Sequence, residues 1–328
     1  MWNSSVASRQ PAGLVFALAA LVLAPAVHAA AYPDKPVRLI VAAAPGGSAD
    51  AIARTFQPGM AEALGQTLVI DNRAGASGII GIELAAKAAA DGYTVLLNTS
   101  THTTMPALSA RLPFDLERDF AAVTLLVSQP NILVVHPSLP VKTVKDLVAY
   151  AKAKPDALNF ASGGTGTSPH LAGEMLKLQA GIAMTHVPYK GSGPAIGDLL
   201  GGHVQVMFAG PFAVAQHARA GRLRALAIAA IKRSSALPAV PTLAEAGFPG
   251  MENGTWYGLV APARTPKAVI ARLHEAARKA AATPASKKQL EAMSVDVGLN
   301  QPDEFEKFIS QEIRRWGKVV RDARIKAD

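Results

Sequence analysis

Residues 37–64 read VRLIVAAAPGGSADAIARTFQPGMAEAL, and this stretch decides the fold. The run Val37–Val41 is apolar and mostly β-branched, which predicts a buried strand. The glycine turn Pro45-Gly46-Gly47-Ser48-Ala49-Asp50 follows, and helical spacing then continues over residues 49–64. A strand, a glycine turn and a helix in this order leave backbone N–H groups free at the helix N-terminus, where they can hold an anion. The alternative is that the two glycines only make a tight turn.

The composition limits the classes of protein that fit. The chain has 328 residues, half of them hydrophobic, which is enough for two domains of about 100–200 residues with substantial cores. Aromatic residues make up 5%, which disfavours a sugar site of stacked rings. The absence of cysteine excludes disulfides, thiol nucleophiles and thiolate metal sites. The net charge of +9 is scattered, and the basic tail is interleaved with Glu312 and Asp322, so we expect no nucleic-acid partner.

Residues 1–31 have the pattern of a secretory leader. Arg9 is their only charged residue, an apolar run follows over residues 14–27, and Ala29-Ala30-Ala31 supplies small residues at the end. The apolar run is shorter than the ~20 residues of a membrane span. We predict cleavage close to Tyr32, with Ala29 as a nearby alternative, and therefore an exported mature protein. An uncleaved anchor is the competing interpretation.

Strands and helices alternate after Tyr32, which predicts an α/β fold with mainly parallel sheets flanked by helices. The first series has candidate strands at 37–41, 68–70, 94–97 and 120–127, with helices at about 49–64 and 79–89. The second series has candidate strands at 132–136, 158–160, 184–187, 204–208 and 223–229, with a strand at 256–260 beyond a connector at 234–254. These two series predict two lobes with a cleft between them: 32–130 plus 256–328, and 131–255.

Helix ends are marked by recognisable capping residues. Thr143 with Asp146 three residues later predicts a capping box. Ser168 is predicted as an N-cap followed by Pro169 at the first helical position, and Gly181 is predicted to end that helix. Thr265-Pro266 has the same pattern, and the last third of the chain is predicted to be mostly helical.

Small polar loops follow four of the candidate strands. They are Pro45–Asp50, Ala74-Gly75-Ala76-Ser77-Gly78, Thr99-Ser100-Thr101-His102, and Ser162-Gly163-Gly164-Thr165-Gly166-Thr167-Ser168-Pro169-His170. In open α/β sheets, ligands bind at the carboxyl ends of strands, so these loops are candidates for a shared site. Each loop could instead be an ordinary flexible turn.

Motifs for catalysis or metal binding are missing from the sequence. It contains no Gly-x-Ser-x-Gly elbow, no Gly-x-x-x-x-Gly-Lys loop and no His-Glu-x-x-His. His170 and Glu174 share a helix face, but two ligands are too few for a metal site. We therefore expect no catalytic residue, no metal and no cofactor.

An ordered set of motifs carries a family resemblance. The motifs lie at 32–38, 45–50 with Ala53-Arg54, 71–78, 88–93, 162–174, 186–191, 198–202, 241–247 and 256–258. Over nearly the whole mature chain, the sequence resembles the Bug family of periplasmic solute receptors, the binding components associated with tripartite tricarboxylate transporters. Any one of these motifs is weak, but the ordered set is specific.

The resemblance implies a two-lobed Venus flytrap that closes on a small organic carboxylate and delivers it to the membrane subunits of a tripartite tricarboxylate transporter. We expect the receptor to be a monomer. In the family, backbone N–H groups, hydroxyls and bridging waters hold the carboxylate. The predicted ligand contacts are Pro45, Gly46, Gly47, Ser48, Asp50, Ala76, Ser77, Thr99, Ser100, His102, Ser162, Gly164, Thr165, Gly166, Thr167, Ser168 and His170.

Two departures from the family pattern leave the ligand open. Ala42-Ala43 stands where Pro-Phe is frequent, so loss of the ring at residue 43 is expected either to widen the pocket or to alter its stacking. Ala209-Gly210 lacks the acidic or amide residue often found there. Dicarboxylates, tricarboxylates, amino acids and aromatic acids all remain candidates. A solute sensor for a membrane signalling partner, or a hydrolase on a similar scaffold, are the alternative functions.

Overall fold

The strands and helices are described by a computed structural model, which covers residues 1–3, 32–109, 111–155, 157–234 and 237–326. The predicted leader lies almost wholly outside the described residues. The chain from Tyr32 to Asp328 forms one compact unit. Within the described ranges, no helix has both the length and the apolar character needed to cross a membrane.

Strands and helices alternate along most of the chain. In chain order the strands are β1 (Val37–Val41), β2 (Leu68–Asn72), β3 (Thr94–Thr99), β4 (Phe120–Pro130), β5 (Ile132–Val135), β6 (Asn159–Ser162), β7 (Thr185–Pro188), β8 (Val206–Ala209), β9 (Arg224–Ile228), β10 (Gly254–Pro262) and β11 (Asp296–Val297). The helices are α1 (Ser48–Leu64), α2 (Ile79–Ala86), α3 (Met105–Leu108), α4 (Val144–Ala153), α5 (Ser168–Ala180), α6 (Ser192–Leu200), α7 (Pro211–Arg219), α8 (Lys267–Ala282), α9 (Pro284–Ala292) and α10 (Pro302–Asp322).

The strands form two sheets. The first has the order β11-β4-β10-β3-β1-β2, and the second has the order β7-β6-β8-β5-β9. In the first sheet β1 pairs in parallel with β2 and β3, whereas β10 runs antiparallel to β3 and β4. In the second, β6 is parallel to β7 and β8, and β5 is antiparallel to β8 and β9.

The predicted α/β class is confirmed, but both sheets are mixed rather than mainly parallel. The reason is the path of the chain between the sheets. It leaves the first sheet through β4, enters the second through β5 after a single residue, Asn131, and returns through Asn253 into β10. A strand that enters or leaves a sheet in this way is antiparallel to its neighbours. The pattern of βα units cannot show this reversal.

Apolar side chains cover both faces of each sheet. On the first sheet, one face packs against α1 and α8, with Phe56 and Leu273 fully buried. The other face packs against α2 and α10, where Phe305 is fully buried. A smaller cluster of Leu171, Trp316 and Val320 joins α5 to α10. This cluster connects the C-terminal helix to the helix that follows β6.

The capping predictions had mixed outcomes. The capping box of Thr143 and Asp146 is present, and Gly181 ends α5 in the left-handed conformation, so both are confirmed. The prediction that Thr265 caps α8 is wrong by one residue. Pro266 is the N-cap, because the Thr265 hydroxyl donates instead to the carbonyl of Pro262, 2.7 Å away.

Two helices were missed by the sequence analysis, the short α3 and the longer α7. Residues 211–219 form α7, which starts with Pro211 and buries only Val214 and Ala215 beside that proline. Its apolar face is too narrow to give a clear helical period. Helix α7 is held mainly because it follows β8 directly and packs on one face of the second sheet, where Val214 shares an apolar cluster with Ile132 and Met207.

Close packing of α1 on α8 gives a test of the fold. A Cβ added to Gly59 would lie 2.6 Å from Cα of Ala280, so Gly59→Ala must push the two helices apart. We expect a loss of about 1–2 kcal/mol in the free energy of unfolding, measured by urea denaturation. The matched control is Gly197→Ala in α6, where the added Cβ meets nothing within 4 Å. That variant should gain about 0.5–1 kcal/mol from helix propensity. Equal effects of the two changes would contradict the close packing.

Candidate functional site

The first glycine turn connects β1 to α1 and is held by one carboxylate. Gly46 has a φ of +82°, a conformation that favours glycine, and Gly47 is the N-cap of α1. The backbone N–H of Gly46 donates to Oδ2 of Asp50, 3.0 Å away, and Nε of Arg54 donates to the same oxygen at 2.8 Å. Oδ2 of Asp50 is therefore occupied within its own turn and helix, and it orients the turn that precedes it, whereas Oδ1 is buried and has no hydrogen-bond partner among the described residues.

The charge of Asp50 is balanced before any ligand arrives. The hydrogen bond from Arg54 and the N–H of Gly46 lower the pKa of Asp50 to about 2, against the opposing effect of burial. An ionised Asp50 would repel an anion, but Arg54 neutralises it at close range. The free N–H groups at the start of α1 then make the local electrostatic potential positive, which favours an anion.

The turn after β2 has an unusual backbone. Gly75, Ala76, Ser77 and Gly78 are consecutive residues with positive φ, at 125°, 45°, 55° and 101°. For Ala76 and Ser77 this left-handed conformation costs on the order of 1 kcal/mol each. Such strain persists only where the surroundings impose it, and it is concentrated at binding sites.

His102 lies in a short 3₁₀ turn after β3 and is buried. Its Nδ1 lies 2.8 Å from Oδ1 of Asn98, and the N–H of Thr99 donates to the same oxygen at 3.0 Å. Both contacts are satisfied together when Nδ1 carries the proton, which leaves Nε2 as an acceptor. Burial lowers the pKa of His102 to about 4, so the imidazole is neutral at pH 7.

The second glycine turn, residues 162–167, begins at the last residue of β6 and is closed by the hydroxyls of its own residues. The N–H of Gly164 donates to Oγ of Ser162 at 3.1 Å, and the Thr167 hydroxyl donates to the carbonyl of Gly164 at 2.7 Å. Gly164 and Gly166 have positive φ values of 135° and 77°. The conformation of this turn therefore depends on glycine at both positions.

A stack of three rings lies beneath this turn. Phe160, His186 and His170 are stacked, and the two imidazole centroids are 3.8 Å apart. Nδ1 of His170 accepts from the N–H of Gly166 at 3.0 Å. His170 therefore supports the turn from below and contacts its backbone. Burial opposes ionisation of Glu174, one turn further along α5, but His170 and Lys177 together lower its pKa.

Ser168 has a different local role from the one predicted. The N-cap of α5 is Thr167, and Ser168 is the first helical residue. The prediction of Ser168 as N-cap is wrong, because its hydroxyl is turned away from the helix N-terminus and bonds Asn131 and Asn253, each at 2.7 Å. Pro169 accordingly occupies the second helical position.

A cavity of about 240 Å³ opens at the carboxyl ends of β1 and β3. It is lined by Ala42, Ala43, Ala49, Ser77, Leu97, Thr99, Thr101, His102, Thr255 and Tyr257. This lining contains four hydroxyl-bearing small residues and a neutral imidazole, and it contains no Lys, Arg, Asp or Glu. An anion in this cavity would be bound by neutral donors.

The structure brings some predicted residues together and separates others. Ser77, Thr99 and His102 line the cavity directly. Ser48 is not in the lining, but its neighbour Ala49 is. Burial raises the pKa of Tyr257, which also lines the cavity, to about 12. The second glycine turn does not line the cavity but adjoins it, since the Thr104 hydroxyl donates to the carbonyl of Gly166 at 3.0 Å. Ser100 is buried, and its hydroxyl has no hydrogen-bond partner among the described residues.

Several lining residues were missed by the sequence analysis. Thr255 and Tyr257 come from β10, which is far away in sequence and pairs with β3. The motif at 256–258 was noted for its resemblance, but period-two alternation places residues 255 and 257 on one face of the strand. That alternation was the available signal. Ala42 and Ala43, which the sequence analysis noted as a departure from the family pattern, also line the cavity.

Known proteins provide an independent comparison. The sequence model of the family described as "Tripartite tricarboxylate transporter family receptor" matches residues 52–325. Among curated relatives, Protein BugT of Bordetella pertussis is 39% identical over 310 residues, covering 94% of this chain and 95% of BugT. Among solved structures, the periplasmic binding protein BugD is 32% identical with a TM-score of 0.78, covering 90% of this chain and 100% of BugD.

Two of the similar structures contain a carboxylate. Rpa4515 of R. palustris, solved with adipate, is 35% identical with a TM-score of 0.80 and covers 90% of this chain and 99% of its own. MatC of Rhodopseudomonas palustris, solved with bound malate, is 32% identical with a TM-score of 0.77 and covers 88% of this chain and 100% of its own. The predicted two-lobed binding-protein fold agrees with these structures.

The buried, neutral His102 gives a pH test. Above about pH 6.5 the residue is neutral in the folded and unfolded chain. Between pH 6.5 and about 4, the unfolded chain takes up a proton that the folded chain does not, so the free energy of unfolding falls as the pH falls. We expect urea denaturation at pH 7.0 and 4.5 to show a smaller loss for His102→Gln than for wild type, by about 2 kcal/mol.

The control for this test is His203→Gln, because His203 is exposed. That variant should keep the wild-type dependence on pH. An unchanged dependence in His102→Gln would show that His102 does not titrate from a buried neutral state. Asp50 does not interfere with this test. Its pKa is lowered to about 2, so the stability that ionised Asp50 contributes is lost only below about pH 4.

Proposed function

The chain belongs to the tripartite tricarboxylate transporter receptor family, and from that premise we propose that it captures a small organic carboxylate in the cleft between its two sheets. Receptors of this family bind a solute and are not enzymes. The reaction is therefore a binding equilibrium coupled to closure of the cleft, with no covalent bond made or broken.

One observation supports this function most directly, namely a cavity with donors but no charged lining. Hydroxyls of Ser77, Thr99, Thr101 and Thr255 surround it, and the N-terminus of α1 begins beside it with Ala49 in the lining. Hydrogen bonds to a charged group contribute about 1.5–3 kcal/mol each. Four of them would supply roughly 8 kcal/mol, near the free energy of ~1 μM binding, before ordering and desolvation costs.

Closure requires that the ligand contacts both lobes. We assign residues 32–130 and 256–328 to one lobe and residues 131–255 to the other. The turn at 45–50, the strained turn at 75–78 and His102 would contact the ligand from the first lobe, and the glycine turn at 162–167 from the second. A ligand that bridges them binds the closed state more tightly and so shifts the equilibrium towards it. The other predicted contacts remain predictions.

The physiological setting follows from the same proposal. The leader at residues 1–31 would export the chain to the periplasm, where it would act as a monomer and deliver its ligand to the membrane subunits of a tripartite tricarboxylate transporter. Uptake assays in a deletion strain test this setting. Normal uptake of the bound acid without the protein would indicate a receptor that does not feed a transporter.

A thermal-shift screen tests the binding function. Malate, adipate, citrate, aspartate and benzoate represent the candidate acids, and binding at 100 times Kd should add about 2.7 kcal/mol of stability. Each acid that raises the melting temperature is then measured by calorimetry. If a crystal with the bound acid shows it outside the cleft, or held mainly by Arg or Lys, the proposal fails. Folded protein that binds no organic acid would also contradict it.

The first glycine turn gives a specific prediction. A Cβ at Gly47 would come no closer than 3.7 Å to its nearest neighbour, and its φ of −81° suits any residue, so Gly47→Val should fold normally. Its branched side chain would stand over the free N–H groups of α1. We expect Kd for the acid found in the screen to rise at least 100-fold by calorimetry. Gly197→Val, at an exposed position on α6, is the control and should bind as wild type.

A further inference from the structure

The chain crosses between the two sheets at two places, and an asparagine occupies each crossing. Asn131 lies between β4 and β5, and Asn253 lies directly before β10. They are 1% and 5% exposed. The N–H of Asn131 donates to the carbonyl of Asn253 at 2.9 Å, and Nδ2 of Asn131 donates to Oδ1 of Asn253. The two crossings are therefore joined by both backbone and side chains.

Ser168 connects this pair to the second glycine turn. It is the first residue of α5, directly after that turn, and is 4% exposed. Its hydroxyl donates to Oδ1 of Asn253 and accepts from Nδ2 of Asn131, both at 2.7 Å. One hydroxyl thus contacts both crossings at once.

The hydrogen bonds among Asn131, Ser168 and Asn253 have no ready replacement. Oδ1 of Asn131 and Nδ2 of Asn253 have no hydrogen-bond partner among the described residues. The remaining polar atoms of the two amides are held by Ser168 and by each other. If α5 moved relative to the crossings, more buried polar groups would lose their partners without gaining water, which is unfavourable. The turn and both crossings should therefore move as one body.

A contact of the strand that leads into the first crossing, two residues before Asn131, behaves differently. The side chain of Gln129, in β4, lies against Gly210, where an added Cβ would be 2.8 Å from its Oε1. That oxygen is buried and has no partner among the described residues. Separation of the sheets would return it to water, so this contact can open without loss of a hydrogen bond. The pivot is thus expected between Gln129 and Asn131, with Gly254 as its counterpart before β10 continues.

We propose that Asn131, Ser168 and Asn253 are positioning residues that connect the second glycine turn rigidly to both crossings. The crossings at Asn131 and Asn253 are the hinge segments of the molecule. A ligand that contacts the turn at 162–167 then rotates the whole second sheet about the pivot, instead of displacing the turn alone. This proposal rests on the proposed function, because the rotation is the closure of the cleft on a carboxylate. It assigns Ser168 a role through the hinge rather than through the ligand.

The test uses Ser168→Ala with Ser286→Ala as its matched control. Ser286 is 3% exposed, lies in α9, and donates its hydroxyl to the carbonyl of Thr55 at 3.0 Å, far from both crossings. With malate or adipate as the probe, Ser168→Ala should raise Kd at least 10-fold, mainly through faster dissociation in stopped-flow measurements. It should also reduce the ligand-induced decrease in radius of gyration seen by X-ray scattering. Ser286→Ala should change neither.

Two further variants separate positioning from loss of stability. Asn253→Ala should raise Kd by a similar factor, and the double variant with Ser168→Ala should be little worse than either single change. Ser168→Thr, which keeps the hydroxyl, should recover most of the affinity. Wild-type affinity and dissociation rate in Ser168→Ala, or an equal loss in Ser286→Ala, would overturn the proposal.

Hydrogen exchange tests the rigid connection without any ligand. In Ser168→Ala, protection should fall together in the turn at 162–167 and in both hinge segments, and it should stay unchanged in Ser286→Ala. A fall confined to α5 would overturn the proposal even if a carboxylate binds. If malate and adipate do not bind while exchange changes as expected, the choice of ligand fails and the hinge connection stands.

Discussion

The parallel pairing of β1 with β2 and β3 is the constraint on which the site depends. Parallel neighbours bring their carboxyl ends to one edge of the sheet, so the turns that follow these three strands meet there. Each turn exposes backbone N–H groups or small hydroxyls at that edge. The antiparallel strand β10 then adds Thr255 and Tyr257 beside them. A change in this pairing would scatter the residues that line the cavity.

Charges near the site are neutralised locally. Arg54 balances Asp50, and Lys177 balances Glu174. Burial opposes ionisation of Asp71, but Arg38 and Arg73 keep its pKa below the ordinary value. Since these charges are paired at short range, the field in the cavity is set by neutral donors and by the helix N-terminus. Recognition of an anion by such a site depends on geometry more than on net charge, even in a chain with net charge +9.

The hinge and the cleft are connected through side chains and not only through the chain path. Ser168 belongs by position to the glycine turn, yet its hydroxyl bonds the two crossings. The cluster of Leu171 and Trp316 continues this link from α5 to the C-terminal helix. A turn that contacts a solute is thus supported on one side by the hinge and on the other by α10. This arrangement explains why a mobile-looking Gly/Ser/Thr segment is internally bonded and partly buried.

The sequence by itself determined most of the strands and helices and the nature of the loops. The bounds of β1, the helix after it, the capping box at Thr143 and the glycine stop at Gly181 are local features, because neighbours in the chain decide them. The motif order was enough to indicate the family. Only the tertiary structure decided that the sheets are mixed, that Ser168 bonds Asn131 and Asn253, and that β10 lines the cavity. These contacts join residues far apart in sequence, and hydrophobic period and turn composition contain no information on which distant strand or side chain will be the partner.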